Sequence, residues 1–237
     1  RAGPAEHLDL IGAGLFAVVL GSLAFTLNDA SGALDSSLLL IVPLLILIAS
    51  LLIFAKWIHP RRWPPGGGEP FLPTDLLSNR PFILGCIASV VSYLSVFSTQ
   101  VVMPSYLRTE LGLAPAVAWL IMISHPAALI VIAPIAGECV DRFGASRVLM
   151  AGMALMGSVL MMLGFLNVHT PIWLIVIWLL LLGSSTGLFT SPNNSMTLAS
   201  VDEARSGLAA SMMALSRNIG MMLGAVIGGT LGILLQN

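Results

Sequence analysis

Seven apolar runs alternate with short polar breaks along the chain, at 8–27, 37–57, 82–103, 116–137, 148–168, 171–191 and 208–235. Each reaches the 20 or so residues that carry an α-helix across about 30 Å of hydrocarbon. A chain in lipid must bond its backbone internally, so the pattern predicts seven transmembrane helices and an all-α membrane protein. Between the second and third runs, His59 to Arg80 holds Pro60, Pro64, Pro65, Gly66, Gly67, Gly68, Pro70 and Pro73. That is linker composition. It divides the chain into a two-span segment (1–58), a Pro/Gly-rich linker (59–80) and a five-span segment (81–237).

Composition agrees. Hydrophobic residues make up 57% of the 237 and charged residues 9%, far below the roughly 25% of a soluble domain. The net charge of −1 offers no basic face for nucleic acid. Cys86 and Cys139 have neither metal spacing nor a disulfide framework and read as small apolar fillers. Counting spans puts Arg1, Lys56, Arg61, Arg62, Arg80, Arg142, Arg147 and Arg205 on one side and only Arg108 on the other. Cytoplasmic loops carry the Lys and Arg excess, so the linker and the N-terminus are expected in the cytoplasm. Position 1 is Arg and no leader pattern precedes the first span, so the chain is expected to be a piece of a longer protein.

Few polar residues interrupt the spans. Arg217 and Asn218 lie about 18 Å along the last helix from the Arg205 loop. An intramembrane Arg reads either as a substrate contact or switchable ion pair, or as a snorkelling or structurally paired group. Ser191-Pro192-Asn193-Asn194-Ser195 is expected to end the sixth span, with Pro192 bending the chain. Asn193 and Asn194 either form a polar niche facing Arg217 or only cap the broken helix. His125, followed by Pro126 in mid-span, reads as a proton site or as a hydrogen-bonded cavity residue beside a kink. Gln100, with Ser98 and Thr99, is a further cavity candidate, whereas Asp29 reads as solvated. Gly220, Gly224, Gly228 and Gly232 recur every four residues, a stripe that lets another helix approach closely. Gly183-Ser184-Ser185-Thr186-Gly187 satisfies G-x-S-x-G, but inside an apolar span rather than a strand-turn-helix context. No H-E-x-x-H or phosphate loop is present, and the single Lys at the edge of a span excludes a retinal receptor.

Gly137-Glu138-Cys139-Val140-Asp141-Arg142-Phe143-Gly144-Ala145-Ser146-Arg147 is a charged knot between two spans, expected as a tight interfacial turn at Gly137 and Gly144. Its pattern, G-x-x-x-D-R-x-G-x-x-R, resembles the loop signature of the major facilitator superfamily. Two further stretches are similar to the fourteen-span drug:proton antiporters of that superfamily. One is Ser191 to Ser195 with Arg205-Ser206-Gly207 and Ser216-Arg217-Asn218-Ile219-Gly220; the other is Tyr106-Leu107 with Leu111-Gly112-Leu113.

The resemblance implies that the seven helices stand for spans seven to thirteen: an inserted pair, then five of six helices of a C-terminal bundle. The N-terminal bundle, which carries the family's principal proton-coupling carboxylates, would be a missing partner. It further implies a proton-coupled exporter of hydrophobic or amphipathic drugs in the plasma membrane, working by alternating access on an ion gradient with no bound cofactor or metal. Gly137, Asp141, Arg142, Gly144 and Arg147 would form a conformational latch. Metabolite, lipid or siderophore exporters share these signatures. From other classes, a membrane-embedded hydrolase using Ser185 with His125, and a non-transporting subunit binding through the glycine stripe, stay open.

Overall fold

The computed structural model describes residues 78–234 continuously, together with a few isolated helical positions before them. The chain divides into two compact units, Arg1–Ser78 and Asn79–Asn237. The expected spans 8–27 and 37–57 and most of the linker fall outside the described residues. All that follows concerns the second unit.

Asn79 starts the first helix, α1 (Arg80–Thr109), by accepting the Phe82 N–H on its side chain at 3.3 Å, with a proline in the first turn. Its amide also donates to the Ser200 carbonyl at 2.6 Å, fastening the start of α1 to the end of a later helix. α1 outruns its apolar stretch, expected to stop at 103, because a helix entering the interface keeps its backbone bonds whatever its side chains. The next span is two helices, α2 (Pro115–Met122) and α3 (Ser124–Phe143), broken at Ile123. Pro126 supplies the cause. It has no N–H for the Met122 carbonyl, and its ring crowds that oxygen.

α4 (Ala145–Leu163) follows α3 after one non-helical residue, Gly144, at φ +85°. The expected eleven-residue turn therefore shrinks to a single glycine. Gly137 through Phe143 are helical, and Gly137 plays no part in the reversal. α5 (Ile172–Ala199) likewise runs straight through Pro192 instead of ending near it. The carbonyl that Pro192 cannot bond belongs to Leu188, where Gly152 of α4 lies against the α5 backbone; one residue on, Asn193 is gripped by α1. Packing on both sides holds the helix through a local defect. A 3₁₀ turn (Glu203–Arg205) leads into α6 (Ser206–Leu234).

Arg80–Thr109, Pro115–Phe143, Ala145–Leu163, Ile172–Ala199 and Ser206–Thr230 are long and apolar enough to cross a membrane, and the described residues contain no strand. α5 packs against α3 and α4, and α1 against α6. Met103, Leu107, Ile121, Ile175 and Leu179 form one apolar cluster; Val96, Met156, Val159, Leu182 and Phe189 form a second. Leu120, Ile130 and Met161 lie more than two-thirds exposed, as lipid-facing side chains do.

Candidate functional site

The glycines of α6 set the frame on which the polar groups sit. A Cβ on Gly220 would meet the Val90 carbonyl, one on Gly224 the Leu94 carbonyl, and one on Gly228 the Ser98 carbonyl at 2.8 Å. Partners climb by four on both helices, so α1 and α6 run parallel in a fixed register. Ser98 adds a hydroxyl donated to the Gly224 carbonyl at 3.0 Å. One turn further the helices diverge, and a Cβ on Gly232 meets nothing within 4 Å. Gly232 instead lines a cavity of about 660 Å³ with Ser98 and Tyr106 of α1, Glu110 just past its end, Leu163 of α4 and Asn167 of the following loop.

The same register gives depth. Arg217 stands level with residue 87 of α1, seven residues and about 10 Å from the Arg80 end. The expected rise of about 18 Å is measured along α6, whose first turn projects beyond the start of α1. Side chains on a helix lean toward its N-terminus, so the guanidinium reaches back toward that end. There Arg217 Nη1 donates to Asn194 Oδ1 at 3.4 Å. No carboxylate among the described residues pairs with Arg217. Asn218, one residue on, is exposed.

Asn193 turns the other way. Only 3% exposed, it donates through Nδ2 to the Gly85 carbonyl at 3.2 Å and to Ser89 Oγ at 2.9 Å. Its amide is used as a clamp between α5 and α1, not as a cap on a broken helix. Interhelical bonds in bilayers average about 0.6 kcal/mol, and a buried hydroxyl left without a partner adds about 1 kcal/mol or more. Asn193→Leu should therefore cost about 1–2 kcal/mol, read as an earlier thermal unfolding transition in detergent; an unchanged transition would show that the clamp carries no load.

Gln100 and His125 meet from neighbouring helices, Gln100 Nε2 lying 3.5 Å from His125 Nδ1. Gln100 is nine residues from the end of α1 and His125 ten from the start of α2, so both helices put the pair about 15 Å from that face, at mid-membrane. Close approach of α5 to α3 depends on Gly183, where a Cβ would strike the His125 carbonyl. His125 is 5% exposed and its Nε2 is buried without a partner among the described residues. The two polar pairs are not one site. By the α1 register, Gln100 and Arg217 stand about 20 Å apart along the bundle axis.

Asp141, Arg142, Gly144 and Arg147 are exposed around the Gly144 turn, and no ion pair joins these charged groups to another described residue. The hydrolase alternative fails on geometry. Ser185 is fully buried, its hydroxyl donates to the Leu182 carbonyl at 2.7 Å, and it makes no bond with His125.

Asn79 and Ser89 were not singled out by composition or motif, and neither were the cavity residues Glu110 and Asn167; Tyr106 was marked only as part of a family-like loop. Asn79-Arg80-Pro81 at the head of an apolar run was the one legible signal, an N-cap before a proline.

The Major Facilitator Superfamily model matches residues 85–236, more than half of the chain. The riboflavin transporter RibZ of Clostridioides difficile (strain 630) is 34% identical over 156 residues, covering 66% of this chain and 34% of that protein. The uncharacterized transporter YebQ of Escherichia coli (strain K12) is 35% identical over 159 residues, 67% of this chain and 35% of that protein. The multidrug resistance protein Stp of Mycobacterium tuberculosis (strain ATCC 25618 / H37Rv) is 26% identical over 228 residues, 96% of this chain and 41% of that protein. The matches span between a third and about two-fifths of these relatives' lengths.

Proposed function

Because the chain belongs to the major facilitator superfamily, whose relatives here are transporters and not enzymes, we propose that it is the C-terminal portion of a proton-coupled exporter of hydrophobic or amphipathic compounds. The observation that carries this reading is the pair of polar contacts, Arg217 with Asn194 and Gln100 with His125, set into a bundle of five membrane-crossing segments. Polar and charged groups in a bilayer are costly, and their retention marks a path for solutes or protons. The likeness to a multidrug resistance protein over 96% of the chain supports drugs as substrates.

Alternating access asks for contacts that exist in one state and not in another. Asp141, Arg142 and Arg147 fit that need, since among the described residues they stand unpaired and exposed at a one-residue turn, the helical Gly137 one turn before Asp141. Here they act as a latch, pairing with neighbouring helices when the cytoplasmic face shuts. The Lys and Arg bias supports a cytoplasmic position for that face, the linker and the N-terminus of the chain, with the helices in the plasma membrane.

A second reading, transport of a single metabolite, is favoured by the 34% identity to a riboflavin transporter. Cells expressing the full-length parent decide between them. The export reading expects ethidium to leave in an uncoupler-sensitive manner, with riboflavin unable to compete. Riboflavin movement without ethidium efflux would replace it with the second. In the same assay Asp141→Asn is expected to slow efflux about five-fold, because losing one exposed charge contact worth about 1 kcal/mol weakens the latch. Undiminished efflux would remove Asp141 from that role.

A further inference from the structure

His125 stands at the first turn of α3, directly after the break at Ile123. Its ring is enclosed, yet among the described residues Nε2 has no hydrogen-bond partner. In either neutral tautomer this is unfavourable: Nε2 is a donor without an acceptor or a bare lone pair without a donor. Gln100 on the opposite nitrogen suits a ring that changes state. Its amide donates to a bare Nδ1 and, after a half-turn, accepts from Nδ1–H.

Among the described residues, no ion near the ring would support a permanent imidazolium. α2 and α5 carry no titratable side chain, and α4 carries only Arg147, in its first turn. On α1 the nearest titratable groups are Tyr93 and Tyr106, about 10 Å along the helix from Gln100; on α3 the nearest is Glu138, about 20 Å away. A charged ring is therefore incompatible with this closed packing and needs water at Nε2. The chain is built to part at this place. Pro126 leaves the Met122 carbonyl without its helical bond, and Gly183 puts no side chain between α5 and the His125 backbone.

We propose that His125 is a proton-binding residue whose protonation opens the joint between α2 and α3, with Gln100, its amide turned to accept from Nδ1–H, holding the ring in the tautomer whose Nε2 takes the proton. One proton is taken from water at the bare Nε2 as the joint opens, Nδ1–H donating to the Gln100 amide oxygen before and after, and is returned to water as the joint closes on the neutral ring; only the Nε2–H bond forms and breaks. The inference rests on the antiporter reading above and adds a proton site within this bundle.

The test uses the full-length transporter in proteoliposomes with ethidium as probe, comparing accumulation driven by an imposed pH gradient with counterflow at equal pH. His125→Gln should lose gradient-driven accumulation at least ten-fold more than it loses counterflow. Equal losses in a folded protein, or gradient-driven accumulation within two-fold of wild type, overturn the proposal. Gln100→Glu covers the case in which His125→Gln does not fold: a carboxylate beside Nδ1 should raise the pH midpoint of gradient-driven transport by a unit or more. An unmoved midpoint overturns the proposal. Wild-type transport that ignores the pH gradient removes the antiporter reading and this inference together, which separates the two failures.

Discussion

Gly224→Leu is expected to prevent accumulation of the folded bundle. A Cβ at this position meets the Leu94 carbonyl and lies 2.9 Å from Phe97 Cβ, and the first of these obstacles is backbone. A side chain can rotate away from an intruding atom, but a helix backbone moves only with its helix. Gly220 and Gly228 hold α6 against α1 one turn on either side, so relief requires the helices to separate along the whole stripe. Separation also breaks the bond from Ser98 to the Gly224 carbonyl. Lipid provides no hydrophobic force to hold loosened helices together, so lost packing is not made good elsewhere. Overpacking costs about 1–3 kcal/mol even in adaptable cores, and a rigid seam belongs at or above the top of that range. Gly232→Leu is the control, since a side chain there enters the cavity and should leave the unfolding temperature nearly unchanged. Equal thermal stability of the two variants in detergent would contradict this account of the seam.

Arg217→Ala is expected to reduce efflux by ten-fold or more while sparing the fold. Among the described residues the guanidinium has one hydrogen bond, at 3.4 Å to the neutral Asn194, and no carboxylate partner. Removing it deletes little from this packed state. A cation about 10 Å inside a bundle must nevertheless be compensated somewhere in the cycle, by substrate or by a group that arrives in another state. A ten-fold loss corresponds to about 1.4 kcal/mol, the size of one charge-assisted hydrogen bond. Arg217→Lys keeps the charge and should recover part of the rate. Efflux within two-fold of wild type for Arg217→Ala, with normal stability, would make the residue a snorkelling anchor and nothing more.

The five segments of the second unit were legible because hydrocarbon leaves a chain only one way to satisfy its backbone, so apolar length translates directly into helix. Where helices stop was less legible. Thr109 lies beyond the apolar part of α1, and hydropathy says nothing about a helix continuing into the interface. Pro126 and Pro192 look alike in sequence, yet the first breaks its span and the second does not. The difference lies in neighbours, for Asn193 is clamped by α1 and Leu188 by Gly152. The stripe of α6 was visible as a period of four, but not that Gly232 would face a cavity while its three predecessors face backbone. Asn194 was read beside Arg217 because two polar breaks near one membrane face have few other partners. Gln100 and His125 were each marked as cavity candidates, but their meeting depended on a tertiary approach of two segments that no local pattern encodes.

The claim on which the rest depends is exchange of substrate for protons. The full-length transporter is reconstituted in liposomes holding a pH-sensitive dye, with no initial pH gradient, and ethidium is added outside. Exchange predicts that ethidium entry drives protons out, so that the lumen becomes alkaline in proportion to the ethidium taken up and Arg217→Ala blunts both signals together. Ethidium entry with no change in lumen pH would contradict it.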